Sequence, residues 1–207
     1  MKYYAVKVGY VPGIYMTWNE AKEQVNSYPY AKYKSFQTYE EAKAFMNDSE
    51  NFIHKNTEII AYTDGSEKDG IGGYGVVLLY KDKYPLQFYG KIILPEGVTN
   101  NISEFIAVAN ALYNSKGSIT IYTDSEYVRN SLTTWIHKWL TNGWLTSDNK
   151  PVKNKELIES VYSLMQEREV IILHVEAHKG NKYNEIADKL ADKGRLSLDN
   201  LLHVEVN

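Results

Sequence analysis

The sequence predicts an α/β protein with a mixed five-stranded sheet flanked by helices, preceded by a small ββαβα domain. Residues 57–94 hold three apolar strands with short connections, which indicates an antiparallel meander. After residue 100, helices alternate with strands, which is typical of parallel strands covered by helices on both faces. Residues 1–46 have the signals of a separate unit of two strands, a helix, a strand and a helix.

The helix and strand signals of the first unit follow each other closely. YYAVKVG and GIYMTW read as strands joined at a Pro-Gly turn, and AKYKSF reads as a third strand. Thr17 stands three residues before Glu20, and Thr38 stands three residues before Glu41. This spacing is typical of a capping box, so each pair predicts the start of a helix.

The chain is expected to divide into four segments. We predict a first domain over 1–46, a short polar linker over 47–56, a larger domain over 57–195 and an apolar tail of unknown role over 196–207. Beyond the meander, the larger domain should contain a helix over 101–115, a strand over 118–124, helical segments to about 142, a helix over 154–168, a strand over 169–177 and a helix over 183–193.

Composition excludes several classes of protein. The chain has no cysteine, which excludes disulfides and thiolate metal sites. Neither a signal peptide nor a run of membrane-spanning length is recognisable, so we expect a cytoplasmic protein with no membrane partner. A net charge of −3 argues against a nucleic-acid partner, because such domains are often basic. However, residues 135–155 contain four lysines and a single acid, so a basic surface would be local.

Two apolar strands each deliver an aspartate at their end. IIAYTDGS contains Asp64, and ITIYTDSE contains Asp124. A helical crossover would place these strands side by side and parallel, so that both acids meet at one edge of the sheet. An ionised carboxylate against apolar surface is costly unless something pairs with it. Taken alone, Asp64 also fits a turn, because it precedes Gly65.

Two further acids lie near the starts of predicted helices. Glu104 falls in the first turn of the helix over 101–115, and Asp188 falls near the start of the last helix. Each has a structural alternative: Asn101 and Glu104 have the spacing of a capping box, and Asp188 would complement a helix N-terminus.

The four acids together point to a metal site. Carboxylates that converge on one spot repel by roughly 4 kcal/mol per close pair at an effective dielectric near 20. Such a cluster is stable only with protons or divalent cations in it. Oxygen ligands without cysteine select a hard ion such as Mg²⁺ or Mn²⁺. A pair of these ions would clamp the attacking water and the leaving oxygen of a phosphodiester.

Five motifs carry a resemblance to a known family. YTDGS, TNNISE, YTDSEYV and HKGNKYNEIADKLA, in this order, closely resemble type 1 ribonuclease H. WIHKWLTNGWLTSDNKPVKNKEL (135–157) resembles its basic, tryptophan-rich protrusion. The first 46 residues resemble the hybrid-binding domain of eukaryotic and some bacterial members. The resemblance implies a ribonuclease H-like fold, with the catalytic domain over 57–195.

The resemblance also implies an activity and a cofactor. Members hydrolyse the RNA strand of RNA–DNA hybrids by a mechanism with two metal ions, leaving 5′-phosphate and 3′-hydroxyl ends. The expected cofactor is two Mg²⁺, with Mn²⁺ as a substitute, and the expected partner is the hybrid duplex, bound by a monomer. By the same resemblance, the metal-binding residues are Asp64, Glu104, Asp124 and Asp188.

Further site residues are carried over by the resemblance. His178 matches a loop histidine thought to assist proton transfer or product release, although a loop histidine is more often only a solvated side chain. Glu185 matches an acid that lies behind the metal ligands. Asn100, Asn101 and Glu104 match residues that contact RNA in the minor groove.

The protrusion is expected to contact the DNA strand. Trp135, Trp139 and Ser147 match the DNA channel of the family, and Thr99 and Asn154 match its phosphate pocket. The two tryptophans are four residues apart, which is also the spacing of a helix packing face.

Two positions depart from the family pattern. Gly97 stands where mammalian relatives have an arginine that reaches the phosphate pocket, and Ser35 replaces a lysine of the hybrid-binding domain. Trp18, Tyr33 and Lys34 retain that domain's contacts to the DNA strand. Loss of one phosphate contact predicts weaker binding, with a salt dependence reduced by about one counterion.

Three alternatives to an active hybrid nuclease remain at this point. A hybrid-binding module with a decayed nuclease domain would lack one of the four acids, and all four are present. A DNA strand-transfer enzyme on the same fold is disfavoured by the preceding hybrid-binding domain. A purely structural role would leave the acids without neutralisation.

Overall fold

The structure, a computed structural model, divides into two compact units, Met1–Asn56 and Thr57–Asn207. The residues that it describes are 2–8, 11, 13–26, 31–47, 59–81, 83–177 and 179–206.

The first unit has the predicted ββαβα order. Its sheet is antiparallel with the order β2-β1-β3. Thr17 and Thr38 each form the predicted capping box, since each hydroxyl accepts from the backbone of a glutamate whose carboxylate accepts in return. The elements are β1 (Tyr3–Val8), β2 (Gly13–Tyr15), α1 (Trp18–Val25), β3 (Lys32–Phe36) and α2 (Tyr39–Asn47).

The second unit contains the predicted mixed sheet. Its elements are β4 (Ile59–Lys68), β5 (Ile71–Tyr80), β6 (Leu86–Ile92), α3 (Asn100–Tyr113), β7 (Ile119–Thr123), α4 (Glu126–Asn130), a π-helical turn (Ser131–Trp135), α5 (Ile136–Asn142), α6 (Lys155–Met165), β8 (Val170–His174), α7 (Lys182–Leu196) and β9 (His203–Val206). None of the helices in the described part of the chain is long and apolar enough to cross a membrane.

Sheet register places two strand ends side by side. The strand order is β8-β7-β4-β5-β6-β9, with β4, β5 and β6 antiparallel and β7 and β8 parallel to β4. Thr63 of β4 pairs with Thr123 of β7. The next residue along each strand direction, Asp64 after Thr63 and Asp124 after Thr123, therefore lies at the same edge of the sheet.

Within the described part of the chain the sheet has six strands, so the prediction of five was wrong. The additional strand, β9, is formed by the tail that had no predicted role, and it pairs antiparallel with β6. The His203 ring stacks on Tyr89 with centroids 4.9 Å apart, and Lys193 forms an ion pair with Glu205. The tail thus covers the edge of β6, which would otherwise present unpaired backbone groups.

Helices cover both faces of the sheet, as expected. Alternate residues of the strands face opposite sides: Ala61 and Val76 join the core beneath α3, whereas Tyr62 and Val77 join the core beneath α7. Because of this alternation, Asp64 lies on the face covered by α7.

Helix α7 rests directly on the backbone of β5. A Cβ on Gly73 would lie 2.2 Å from the carbonyl oxygen of Ala191, and one on Gly75 would lie 2.2 Å from that of Ala187. Only glycine permits this approach, so the glycines of β5 fix the height of α7 above the sheet.

Strand β4 continues beyond the point where the sequence suggested a turn. Asp64 and Gly65 pair with Gly75 and Tyr74 inside the β-ladder, so the turn reading of Asp64-Gly65 was wrong. The reversal occurs at Asp69-Gly70, where both residues have positive φ, as a type I′ hairpin turn requires.

Candidate active site

Three carboxylates meet where β4 and β7 lie side by side. Asp64 comes from β4, Asp124 follows β7, and Glu104 comes from the first turns of α3. One carboxylate oxygen of each lies within 4.8 Å of the others. Asp64 and Glu104 are only 6% and 4% exposed, and Asp124 is half-buried. The sequence prediction that two strands deliver acids to one place is confirmed by this geometry.

Asp188 adjoins the cluster from α7, on the same face of the sheet as Asp64. It lies in the second turn of α7 and is half-buried. Its carboxyl shares a hydrogen bond with Asp64, and that contact helps to raise the Asp64 pKa. The structure therefore brings all four predicted acids together.

Mutual repulsion and burial change how these acids ionise. Burial, followed by the charges of Asp124 and Asp188, raises the pKa of Asp64 to about 8. Burial and the charges of Asp64 and Asp124 raise the pKa of Glu104 well above its usual value. The Gly65 amide donates to both acids and opposes the shift. Without a cation, protons must therefore neutralise part of this cluster near neutral pH.

The cluster offers oxygen ligands for a cation, and one of these oxygens lacks a hydrogen-bond partner. Oε2 of Glu104 is buried and has no hydrogen-bond partner among the described residues. A buried carboxylate oxygen without a donor is costly, and a divalent cation would satisfy it. All-oxygen donors fit a hard ion such as Mg²⁺.

The capping alternative for Glu104 was wrong. The residue that caps α3 is Thr99, whose hydroxyl accepts from the Ile102 amide at 3.4 Å, and not Asn101. The helix thus begins two residues before the start that the capping box required. Glu104 is consequently turned into the acid cluster instead of back toward the helix start.

Two residues that contact Asp124 were not identified from the sequence. The Nδ2 amide of Asn184, which is 3% exposed, donates to Oδ2 of Asp124 at 3.3 Å. Nε2 of His174 lies 3.1 Å from the Asp124 backbone oxygen. The available signal was spacing: Asn184 precedes Asp188 by four residues, which places both on one helix face.

For two other predicted site residues, the structure shows no contact with the acid cluster among the described residues. Glu185 is half-buried in the first turn of α7. His178 lies outside the described residues. The roles assigned to both by the resemblance stay predictions.

A groove of about 720 Å³ lies beside the N-terminus of α3. It is lined by all five residues of the second unit predicted to contact DNA and by one predicted to contact RNA: Thr99, Trp135, Trp139, Ser147, Asn154 and Asn101. Asn100, the other residue predicted to contact RNA, is exposed in the first turn of α3.

The groove combines aromatic and cationic side chains. Trp135 is 38% exposed, whereas Trp139 is 7% exposed and packs against Trp135 and Trp144 at ring distances of 5.7 and 5.8 Å. The packing alternative therefore applies to Trp139, which is part of the core as well as the groove wall. The groove is also lined by three lysines and one acid, Lys138, Lys150, Lys153 and Asp148.

Comparison with protein families identifies the second unit. A family model described as RNase H matches residues 56–195. The chain belongs to the ribonuclease H family. A second model, described as the ribonuclease H1 N-terminal domain, matches residues 2–46.

Curated relatives agree with this assignment. The chain is 45% identical to a ribonuclease H of Wolbachia pipientis wMel over 140 residues, covering 66% of this chain and 94% of that protein. It is 42% identical to a ribonuclease H of Francisella tularensis subsp. novicida (strain U112) over 145 residues, covering 67% and 91%. The chain is therefore a ribonuclease H enzyme.

A solved structure supports the ribonuclease H fold. LC9-RNase H1, a type 1 RNase H with the type 2 active-site motif, superposes with a TM-score of 0.62 at 21% identity. The match covers 72% of this chain and 77% of that chain.

The N-terminal ribonuclease H1 domain presents exposed aromatic rings. Trp18 and Tyr33 are 38% and 48% exposed, and their ring centroids lie 5.4 Å apart. Tyr4 packs against Trp18 at 5.7 Å. The ammonium of Lys34, an exposed side chain, lies 5.6 Å from the Phe36 ring. Trp18 and Tyr33 therefore form one small aromatic cluster with Tyr4, whereas Lys34 lies beside a different ring, Phe36, on the other face of β3.

Gly97 has a backbone conformation that disfavours the arginine found in mammalian ribonucleases H. Its φ is +81°, a value that side-chain-bearing residues rarely adopt. The Val98 amide that follows donates to the Gly70 carbonyl at 2.9 Å, which ties this loop to the β4–β5 hairpin.

Proposed function

We propose that this ribonuclease H cuts the RNA strand of RNA–DNA hybrids at the acid cluster with two divalent ions, preferably Mg²⁺. The products would be 5′-phosphate and 3′-hydroxyl ends. The observation that carries the proposal is the convergence of buried carboxylates with an unsatisfied Glu104 Oε2. The family membership supplies the reaction class, and the cluster supplies a place for the ions.

Four residues would hold the ions: Asp64, Glu104, Asp124 and Asp188. When bound, the ions would activate the attacking water and stabilise the leaving oxygen of the phosphodiester. The chain itself keeps these ligands oriented. The Gly65 amide hydrogen-bonds to Asp64 and Glu104, and the Asn184 amide hydrogen-bonds to Asp124. His178 would carry a proton or assist product release, with Glu185 behind the ligands.

The enzyme is proposed to select an RNA–DNA hybrid by contacting the RNA strand at the N-terminus of α3 and the DNA strand in the adjacent groove. Asn100, Asn101 and Glu104 would contact the RNA strand, whose 2′-hydroxyls distinguish it from DNA. The DNA strand would lie in the groove beside them. The exposed indole of Trp135 would pack against the sugars, and the lysines of the groove would contact the phosphates.

The N-terminal domain is proposed to bind the hybrid through Trp18, Tyr33 and Lys34. Its exposed rings offer apolar surface to deoxyribose, and its lysine offers one phosphate contact. Because Ser35 lacks a charge, we expect this domain to contribute modest affinity. Monomeric state and cytoplasmic localisation stay predictions from the sequence.

The function is tested with an RNA–DNA duplex whose strands are labelled in turn. Wild-type protein, Asp124→Asn and the matched control Glu167→Gln are compared with Mg²⁺, Mn²⁺ or EDTA. Glu167 is an exposed acid remote in sequence from all four proposed ligands. We expect cutting of the RNA strand alone, dependent on metal, lost in Asp124→Asn and retained in Glu167→Gln. A retained gel shift without cutting by wild type under either metal would support a hybrid-binding module instead.

A further inference from the structure

A second polar contact repeats the one between Asp64 and Asp188. Ser66 follows Asp64 by two residues in β4, and Asp192 follows Asp188 by four residues in α7. Residues two apart share a strand face, and residues four apart share a helix face. The pairs Asp64–Asp188 and Ser66–Asp192 are therefore successive contacts between the same strand and the same helix.

The second contact is closed by an arginine. The Ser66 hydroxyl donates to Oδ1 of Asp192 at 2.6 Å. Nε of Arg195 donates to the Ser66 hydroxyl at 3.0 Å, and Nη2 of Arg195 donates to the same Oδ1 of Asp192 at 3.0 Å. The Arg195 side chain is only 17% exposed and the Asp192 side chain is 56% exposed, so the bond between Arg195 and Ser66 is the most shielded of the three.

The same serine also connects the strand to α3. Its backbone oxygen accepts from the Ser103 hydroxyl at 3.0 Å, and Ser103 directly precedes Glu104. Ser66 is thus bonded to the helix that carries Glu104 and to the helix that carries Asp188. Both bonds lie two residues along β4 from Asp64.

The two contacts differ in composition. The first joins two acids, whereas at the second one acid receives a hydroxyl and a guanidinium. The second contact therefore holds α7 against β4 one turn further along the helix than Asp188.

We propose that Ser66, Asp192 and Arg195 form a clamp that positions Asp188 opposite Asp64 and thereby sets the affinity of the acid cluster for divalent cations. The clamp residues are positioning residues and are not ligands. A site whose ligands are already ordered loses less conformational freedom when the cation binds, so its affinity is higher. This inference rests on the proposed function, because it assumes that the cluster binds the ion.

Mn²⁺ binding to the 207-residue chain is the test, measured from the electron paramagnetic resonance of free Mn²⁺. Ser66→Ala and Arg195→Met are compared with wild type, with thermal unfolding recorded for each in EDTA. We expect the apparent dissociation constant to rise about three- to tenfold, less than the roughly 10–100-fold typical of a direct hydrogen-bond partner of a ligand. The double variant should match Ser66→Ala, which already removes both hydrogen bonds between β4 and α7, whereas Arg195→Met keeps the Ser66–Asp192 bond and should weaken binding less.

Two further variants separate positioning from simple stabilisation. Lys193→Met removes a cation from the same last turn of α7, but Lys193 pairs with Glu205 of the tail and not with β4. Its Mn²⁺ affinity should be unchanged. Ser66→Thr keeps the hydroxyl and should restore affinity. Arg195→Lys, which keeps a charge for Asp192 but lacks the planar fork, should fold and give an intermediate affinity.

Lower melting temperatures with wild-type Mn²⁺ affinity in Ser66→Ala and Arg195→Met would overturn the clamp and leave the proposed function standing. Equal weakening in Lys193→Met would also overturn it, because a general charge effect would then suffice. An Asp64→Asn variant with the same Mn²⁺ dissociation constant as wild type would instead show that the acid cluster is not the Mn²⁺ site. That result would overturn both the proposed function and the clamp.

Discussion

Gly65 lies directly against the backbone of Glu104. A Cβ on Gly65 would come within 2.4 Å of the Glu104 nitrogen and 2.6 Å of the Ser103 carbonyl carbon. This contact lets the first turn of α3 approach β4 closely enough for Glu104 to join Asp64. The glycine of the YTDGS motif therefore has a steric reason that is separate from any turn.

Substitution of that glycine should damage the site as well as the fold. In Gly65→Ala, the methyl group cannot be accommodated by a side-chain rotation, because its neighbours are backbone atoms. We expect destabilisation of about 1–3 kcal/mol from overpacking, together with weaker Mn²⁺ binding because Glu104 moves away from Asp64. Urea unfolding and Mn²⁺ titration measure the two effects, and a variant with wild-type affinity would contradict the steric argument. Gly143→Ala adds backbone strain at a φ of +77° without a steric clash, so it controls for destabilisation alone and should keep the wild-type Mn²⁺ affinity.

The pKa of Asp64 predicts how stability depends on pH without metal. Its folded value, about 8, exceeds the usual unfolded value of about 3.9, so the folded state binds more protons between these limits. Stability should therefore fall as pH rises through this window, on the order of 1 kcal/mol per pH unit for one proton, and level off above pH 8. Thermal unfolding in EDTA from pH 5 to 9 measures the slope.

Mg²⁺ should reduce that dependence on pH. The cation replaces the protons, so its stabilising effect is expected to grow from pH 6 to pH 8. Asp64→Asn removes one of the two acids with a raised pKa, the other being Glu104, and should reduce the slope of the EDTA profile. An EDTA profile that rises with pH in the wild type would contradict the assignment of a raised pKa.

Asn184 is predicted to orient Asp124. Asn184→Ala removes the amide that donates to Oδ2 of Asp124, so this carboxylate should rotate more freely. We expect metal affinity or cleavage rate to fall roughly 10–100-fold, as for other hydrogen-bond partners of ligands. The control is Asn110→Ala, whose amide donates to the Ile106 backbone oxygen within α3. Equal losses in both variants would indicate general destabilisation.

The lysines of the groove should determine the salt dependence of hybrid binding. Lys153→Met removes one cation from the groove lining. Affinity should weaken similarly for hybrids of different sequence, and the slope of log affinity against log salt should decrease by about one. Lys116→Met, an exposed lysine outside the groove, should leave the slope unchanged. Binding is measured by fluorescence anisotropy in EDTA, and an unchanged slope for Lys153→Met would exclude this residue from the interface.

Period-two alternation and helix crossover explain why much of the second unit was predictable. Ile60, Tyr62 and Asp64 were placed on one strand face from spacing alone, and Tyr62 and Asp64 do face α7. Parallel pairing of β4 with β7 followed from the intervening helix. These features depend on local pattern and topology, which a single sequence carries.

Features that depend on distant contacts were not predictable in the same way. Strand β9 has only four residues and is defined by pairing with β6, more than a hundred residues earlier. The extension of β4 past Asp64 depends on glycines of β5 across the hairpin. The Ser66–Arg195 contact joins residues 129 positions apart. Local periodicity in the sequence does not predict contacts between residues so far apart.

The most direct test of the central claim is single-turnover cleavage of an RNA–DNA hybrid by wild type and Asp64→Asn over a Mg²⁺ titration. Asp64 adjoins both Glu104 and Asp188, so its loss should disrupt the whole proposed site. The account predicts metal-dependent cutting of the RNA strand by wild type, reduced at least about a thousandfold in the variant at every Mg²⁺ concentration. Cleavage by Asp64→Asn at the wild-type rate and with the wild-type Mg²⁺ dependence would contradict it.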